Sequence, residues 1–317
     1  MNIYKDCDFF EFLILFFKRL HLVLKPSLLL EDELQIFTLI FTGSTCILVA
    51  LFLLLQKKMM IANSISHTIL LGIVVCLAFI RMTQGSDFVF DYMFSIEKLI
   101  VPAMISAFLT HYLTDFLIKK MNVQEDASIG MIFTFLFALS VFLVSFMGRN
   151  SHLGLEAITG NIDAVNILDL SQSFYVFLVT SFWIYLFLPF YKLISFDLGY
   201  SKTIGVKIAF FDLVLMFLCS FALIIGFKSV GVVMILGLMT FPLLTARLLA
   251  KSIHRILIFA LILNAVYSIF SVALSRSLLS SYNLPISTSG VLVTLSGLGF
   301  FFVIFLQNRL LHIRGKC

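Results

Sequence analysis

Charge is scarce in this chain. Only 12% of its 317 residues are Asp, Glu, Lys or Arg, roughly half the share of a soluble domain, which excludes a water-soluble globule. Ten-residue segments of alternating polarity are missing, which argues against a membrane β-barrel. No Gly-x-x-x-x-Gly-Lys-Ser/Thr occurs, so nucleotide phosphates have no such loop to sit in. There is no His-Glu-x-x-His and no Gly-x-Ser-x-Gly, and His152 precedes Glu156 at the wrong spacing for a zincin. Direct enzymatic activity therefore has no support. The five cysteines (Cys7, Cys46, Cys76, Cys219 and Cys317) form no Cys-x-x-Cys pair, so neither a zinc knuckle nor a disulfide framework follows. No secretory leader stands out, because acidic residues precede the first apolar stretch and no small-residue cleavage site follows. No repeat or low-complexity segment is found.

What is present is apolar length. Hydrophobic residues make up 61% of the chain, and runs long enough to span a bilayer recur throughout. The pattern predicts an all-α, polytopic transmembrane helical bundle of about 8–9 spans. The expected spans are 34–55, 59–80, 99–118, 128–148, 173–194, 208–227, 230–250, 255–279 and 286–309. Pro285 suits the opening of the last helix, and Pro102 and Pro242 fall inside spans, where they mark kinks or breaks. Residues 1–33 form an N-terminal appendage: Phe9–Phe17 is apolar but too short to span, and Lys18, Arg19 and Lys25 follow, as in an interfacial amphipathic helix. Residues 34–310 form the transmembrane domain and 311–317 a cytoplasmic tail.

Lys and Arg set the orientation. With the Lys57/Lys58 turn in the cytoplasm, thirteen basic residues fall inside and five outside, leaving out four in the appendage. The net charge of +5 thus reflects membrane topology, and nucleic acid is not an expected partner. The N-terminus is placed outside and the C-terminus inside. Two long connections, 81–98 and 149–172, then face outward, either as plain connectors or as a docking surface for an external partner. The inward segment Ser195–Lys207 is too polar to span, and a short helix there could pass movement from a soluble partner.

Polar side chains inside the spans carry the functional signal. Asn63 and His67 are four residues apart and share a helix face. His67 lies roughly 13 Å beyond Lys58, near the middle of a ~30 Å hydrocarbon layer. Such groups usually turn toward a protein interior or a water-filled path. His67 is either a metal ligand or an interhelical hydrogen-bond partner. Ser66 lies beside it. His111 and Asp115 are also spaced i, i+4, with Asp115 set to pair with Lys119 and His111 deep enough to join a pathway. Asn264 reads as interhelical glue, and Asp212 as a carboxylate near a helix start. His152 and Glu156 are either a solvated loop pair or an external metal site. Gly231 and Gly237 permit close helix packing.

KSVGVVMILGLMTFPLLTARLLA (Lys228–Ala250) resembles the signature span of the ABC-3 family, the membrane permeases of bacterial zinc, manganese and iron ABC importers. The likeness rests on Gly231, Gly237, Pro242, Thr245, Ala246 and Arg247. Other segments agree in order. KKMMIANSISHTILLG (Lys57–Gly72) resembles the family's basic pair, its Asp-x-x-Ser/Ala-His and its Gly. ITGN (Ile158–Asn161) resembles its outer-loop Phe-Gly-Asn. SFDLGYSKTIGV (Ser195–Val206) resembles its cytoplasmic coupling segment. SYNLPISTSG (Ser281–Gly290) resembles its late Asp-Leu-Pro-Thr-Gly region.

The resemblance implies the membrane-spanning subunit of an importer for Mn2+, Fe2+ or Zn2+ in the bacterial cytoplasmic (inner) membrane. The metal is cargo, not a permanently bound cofactor. The implied partners are a second permease subunit (homo- or heterodimer), a separate cytoplasmic ATP-binding subunit, an extracytoplasmic metal-binding protein and membrane lipid. The family's metal-path His maps onto His67 and its Asp onto Asn63, a departure that keeps an oxygen donor but removes a charge. Coupling to the ATPase maps onto Phe196, Asp197, Leu198, Gly199, Tyr200, Ser201, Lys202, Thr203, Ile204 and Gly205. The related permeases for cobalamin or iron–siderophore complexes are the alternative. They need a wider path.

Overall fold

A computed structural model of the chain describes residues 9–19, 29–84, 96–147 and 162–314. His152, Glu156 and Ile158–Asn161 lie outside them. The described residues form eleven α-helices, one 3-10 turn and no strand. The helices are α1 (Phe9–Arg19), α2 (Glu31–Leu55), α3 (Met59–Gln84), α4 (Ile96–Met121), α5 (Glu125–Met147), α6 (Ile167–Phe196), α7 (Leu198–Thr203), α8 (Ile208–Ser229), α9 (Val232–Leu249), α10 (Ile253–Tyr282) and α11 (Thr288–Arg314). Ile162–Ala164 is the 3-10 turn. Eight of these helices, all but α1, α7 and α9, are long and apolar enough to cross a membrane. The seventh expected span forms α9, whose 18 residues stand near the short end of the spanning range.

Capping chemistry moves several boundaries away from the hydropathy edges. α2 starts at Glu31 because Glu31, Asp32 and Glu33 favour a helix N-terminus. The Leu30 N–H also donates to Glu33 Oε2 at 3.0 Å, half of a capping box. α6 starts at Ile167, six residues before the expected span, where the Asn166 N–H donates to Asp169 Oδ2 at 3.1 Å. α10 stops at Asn283, which is left-handed at φ 50°. Pro285 follows that stop instead of opening the last helix, as proline does after a left-handed cap, and α11 begins three residues later.

The chain divides into two compact units. The first comprises residues 1–48, 161–178 and 229–317. In it α9 packs on α10 and α11, and α1 lies against α10. Phe12 and Phe16 of α1 are buried, the Phe9 ring lies 5.6 Å from Phe270, and Arg19 Nε pairs with Glu33 at 2.7 Å. Asn264 acts as the expected glue: fully buried, its Nδ2 donates to the Ile40 carbonyl at 3.1 Å. That reach depends on Gly43, where a Cβ would come within 2.2 Å of Asn264 Oδ1.

The second unit comprises residues 49–160 and 179–228. Here α3 packs on α4 and α5 around Leu71, Ile132 and Leu136. Gly72 of α3 meets the Pro102 turn of α4 so closely that a Cβ would lie 2.2 Å from the Pro102 carbonyl oxygen. Hydroxyl groups stitch the same seam, Thr110 Oγ1 donating to Thr68 Oγ1 at 2.8 Å. The Ser220 hydroxyl of α8 reaches the Ala103 carbonyl at 3.2 Å.

Candidate functional site

Helix α3 opens at a turn with no slack. Lys57 is left-handed at φ 62°. The Lys58 N–H bonds back to the Leu53 carbonyl at 2.8 Å and the Lys57 N–H to the Leu54 carbonyl at 3.1 Å. These are the paired bonds of a Schellman stop. The Lys58 carbonyl then accepts the Ile61 N–H at 3.0 Å, starting α3. Met60, Asn63 and His67 follow on one face. Met60 and Asn63 are exposed and His67 half-buried.

Among the described residues the imidazole is flanked by aromatic carbon. Its ring centre lies 5.2 Å from Phe133 and 5.5 Å from Phe137, successive turns of α5. The hydrogen-bonding alternative for His67 finds no partner among the described residues. Ser66 is buried and its hydroxyl donates to the Asn63 carbonyl at 2.6 Å, which ties it to the backbone under Asn63 and leaves its oxygen lone pairs as acceptors. His111 is half-buried on α4, within the electrostatic reach of Asp115, Asp212 and Lys58. Asp115 pairs with Lys119 as the i, i+4 spacing foretold. Among the described residues no group of three or more His, Cys, Asp or Glu could hold a metal. One imidazole and one carboxamide, the donors the described residues bring to this face, form an incomplete ligand set, because a divalent ion needs about four to six donors.

The polar segment Ser195–Lys207 folds as expected into a short helix, α7. Asp197 caps it, its Oδ1 accepting the Tyr200 N–H at 3.0 Å, and the buried Ser201 hydroxyl donates to the Asp197 carbonyl at 2.7 Å. Gly205 ends it with φ +84°, letting the Val206 N–H reach the Ser201 carbonyl at 3.1 Å. Phe196, Leu198, Tyr200 and Ile204 all stand exposed, as do Gly199, Lys202 and Thr203. The segment is thus an apolar knob with a rigid base.

One contact was not anticipated. Asp212, expected to serve only the dipole of its helix, forms an ion pair with Lys58 Nζ at 2.7 Å. Nothing in the local pattern joins positions so far apart.

The residues of the Lys228–Ala250 span do packing work. Gly231 stands at the α9 N-terminus with φ +101°, a conformation that disfavours any side chain. At Gly237 a Cβ would lie 2.9 Å from Val293 Cγ2. Pro242 sits inside the helix, and the Thr245 hydroxyl folds back to the Phe241 carbonyl at 2.7 Å. Ala246 is fully buried and Arg247 exposed.

The sequence model described as the ABC 3 transport family matches residues 34–307. The chain is 33% identical to a "Probable metal transport system membrane protein" of Chlamydia trachomatis, covering 99% of this chain and 97% of that one. It is 31% identical to the "Manganese transport system membrane protein MntD" of Bacillus subtilis, covering 81% and 86%. Among solved structures, PsaBC from Streptococcus pneumoniae, in complex with Fab, superposes with a TM-score of 0.70 at 21% identity, over 92% of this chain and 95% of that one.

Proposed function

This chain belongs to the ABC 3 transport family, and on that premise we propose that it carries divalent metal into the cell past Asn63 and His67. It is the multi-pass membrane permease of a metal ABC importer. The observation that carries this reading is the family match over residues 34–307, joined to full-length relatives named for metal transport. Manganese and iron are the proposed cargoes, since relatives are named for manganese and for chelated iron.

The exposed Asn63 and the half-buried His67 supply two donors on an open face of α3. The missing donors come from a second permease subunit facing that surface. Because Asn63 carries no charge, the dication gains less Coulomb attraction here to offset its lost hydration. A non-identical partner with a carboxylate at this level would make up the difference. Phe133 and Phe137 fix the ring and keep water from its flank. ATP is hydrolysed on a separate cytoplasmic subunit that docks on the knob of α7. An extracytoplasmic metal-binding protein delivers the ion from outside the cytoplasmic membrane.

The test is uptake of radioactive manganese or iron by vesicles carrying the whole complex. His67→Ala should lower uptake by roughly tenfold or more, the scale on which metal-site groups act, while the ATPase still co-purifies. Normal uptake by that variant refutes the site. A purified complex containing this permease alone, with no second kind, refutes the non-identical partner.

A further inference from the structure

We propose that the Lys58–Asp212 ion pair is the strut that carries movement of the α7 knob to helix α3, and so to Asn63 and His67. The inference rests on the transport reading above. All the parts lie within the second compact unit.

The knob and α8 are nearly one piece. The Gly205 and Val206 N–H groups bond back into α7 at 3.1 Å each, the Ile208 N–H bonds to the Val206 carbonyl at 2.9 Å, and the Phe211 N–H to the Lys207 carbonyl at 3.3 Å. Few freely rotating bonds separate α7 from the first turns of α8. Asp212 follows directly. Its Oδ2 meets Lys58 Nζ at 2.7 Å, with side chains only 12% and 22% exposed, so solvent screens the pair weakly. Neighbouring aromatic rings limit sideways movement, Tyr191 being fully buried between Phe52 and Phe211.

The other end of the strut is equally stiff. The Lys58 backbone is bonded into α2 through its N–H and into α3 through its carbonyl. A shift at Lys58 therefore moves the start of α3 as a body. Asn63 and His67 lie roughly 7 and 13 Å further along that helix.

A more direct route is not closed by packing. A cavity of about 340 Å3 lies between the α2–α3 turn and the α6–α7 junction, lined by Gln56, Lys58, Ser195 and Phe196 among others. Among the described residues the ion pair is the side-chain connection made by Lys58, and bonded contacts of this kind can carry coupling between sites.

A pair that only held the fold together would affect assembly, hydrolysis and transport alike. A transmitting pair sets the ratio between the last two. The experiment uses the whole complex in proteoliposomes and measures metal imported per ATP hydrolysed. The variants are Lys58→Met, which keeps the apolar stem, Asp212→Leu, and both together. Each single variant should lower the ratio roughly two- to thirtyfold, the range seen for residues that carry coupling, with hydrolysis little changed. The double variant should lose no more than either single one, since both remove the same contact. A wild-type ratio in the single variants overturns the proposal. So does a parallel fall of hydrolysis and uptake, or a double variant whose loss is the product of the single losses. A wild-type complex that imports no metal refutes the transport reading itself, and is seen before any variant is made.

Discussion

Glycine-to-alanine replacement at two positions should have opposite effects, although the chemical change is the same. At Gly72 the new Cβ would lie 2.2 Å from the Pro102 carbonyl oxygen and 2.9 Å from Ser106 Cβ. The first contact is about 1.2 Å inside the 3.4 Å at which ordinary contact begins, and the obstacle is backbone. No rotamer change can relieve it, so α3 and α4 must part. Overpacking of this kind costs about 3 kcal/mol at the upper end of its usual range, and alanine returns about 1 kcal/mol of helix propensity. The net expectation is a loss of about 2 kcal/mol. At Gly130 on α5 nothing lies within 4 Å of the added Cβ. Only the propensity gain remains there, about 0.5–1 kcal/mol in favour of the variant. The assay is thermal unfolding of the detergent-solubilised complex, followed by size-exclusion of a fluorescent fusion. Gly72→Ala should melt below wild type and Gly130→Ala at or above it. Parting α3 from α4 should also displace His67, so uptake by surviving Gly72→Ala protein should fall. A Gly72→Ala protein as stable and active as wild type would refute the close approach of these helices.

Two further outcomes follow from contacts already described. Asp197→Ala removes the cap of α7 at a cost of about 1 kcal/mol, a large share of the stability of a six-residue helix; hydrolysis should then run with less metal moved, and unchanged coupling would reject the role of the knob. Asn264→Ala should cost about 1 kcal/mol through one lost interhelical bond and some packing. In that background Gly43→Ala should become tolerable, which double-variant stability measurements would reveal as strong non-additivity.

Legibility in the sequence followed physical range. Spans announce themselves through a run of neighbouring residues, so the bundle and most of its helices could be read directly. Asp115–Lys119 and the short helix at Asp197 were legible for the same reason, each being complete within a few residues. Boundaries were missed where hydropathy was followed and capping was not. Asn166 with Asp169, three residues apart, was the signal that α6 begins early. Asn283 in its left-handed cap explains why Pro285 follows a stop. What could not be read was which distant segments meet. The composition of α5 does not reveal that Phe133 and Phe137 flank His67. Lys58 and Asp212 each had a sufficient local explanation, as a membrane-edge cation and a helix-start anion, and that hid the pair they form. His67 itself stood out because an imidazole in an apolar run has few ordinary uses.

The notch at Gly43 binds two remote positions into a single heritable character. A lineage that first gave residue 43 a side chain would drive a methyl to 2.2 Å from the Asn264 amide oxygen, so the amide would have to swing aside and disturb its bond to the Ile40 carbonyl. Shortening residue 264 first removes that cost, and restoring the amide after residue 43 has grown incurs it again. Descent through this pair therefore has a direction, and each lineage passing through it is committed by its earlier substitution.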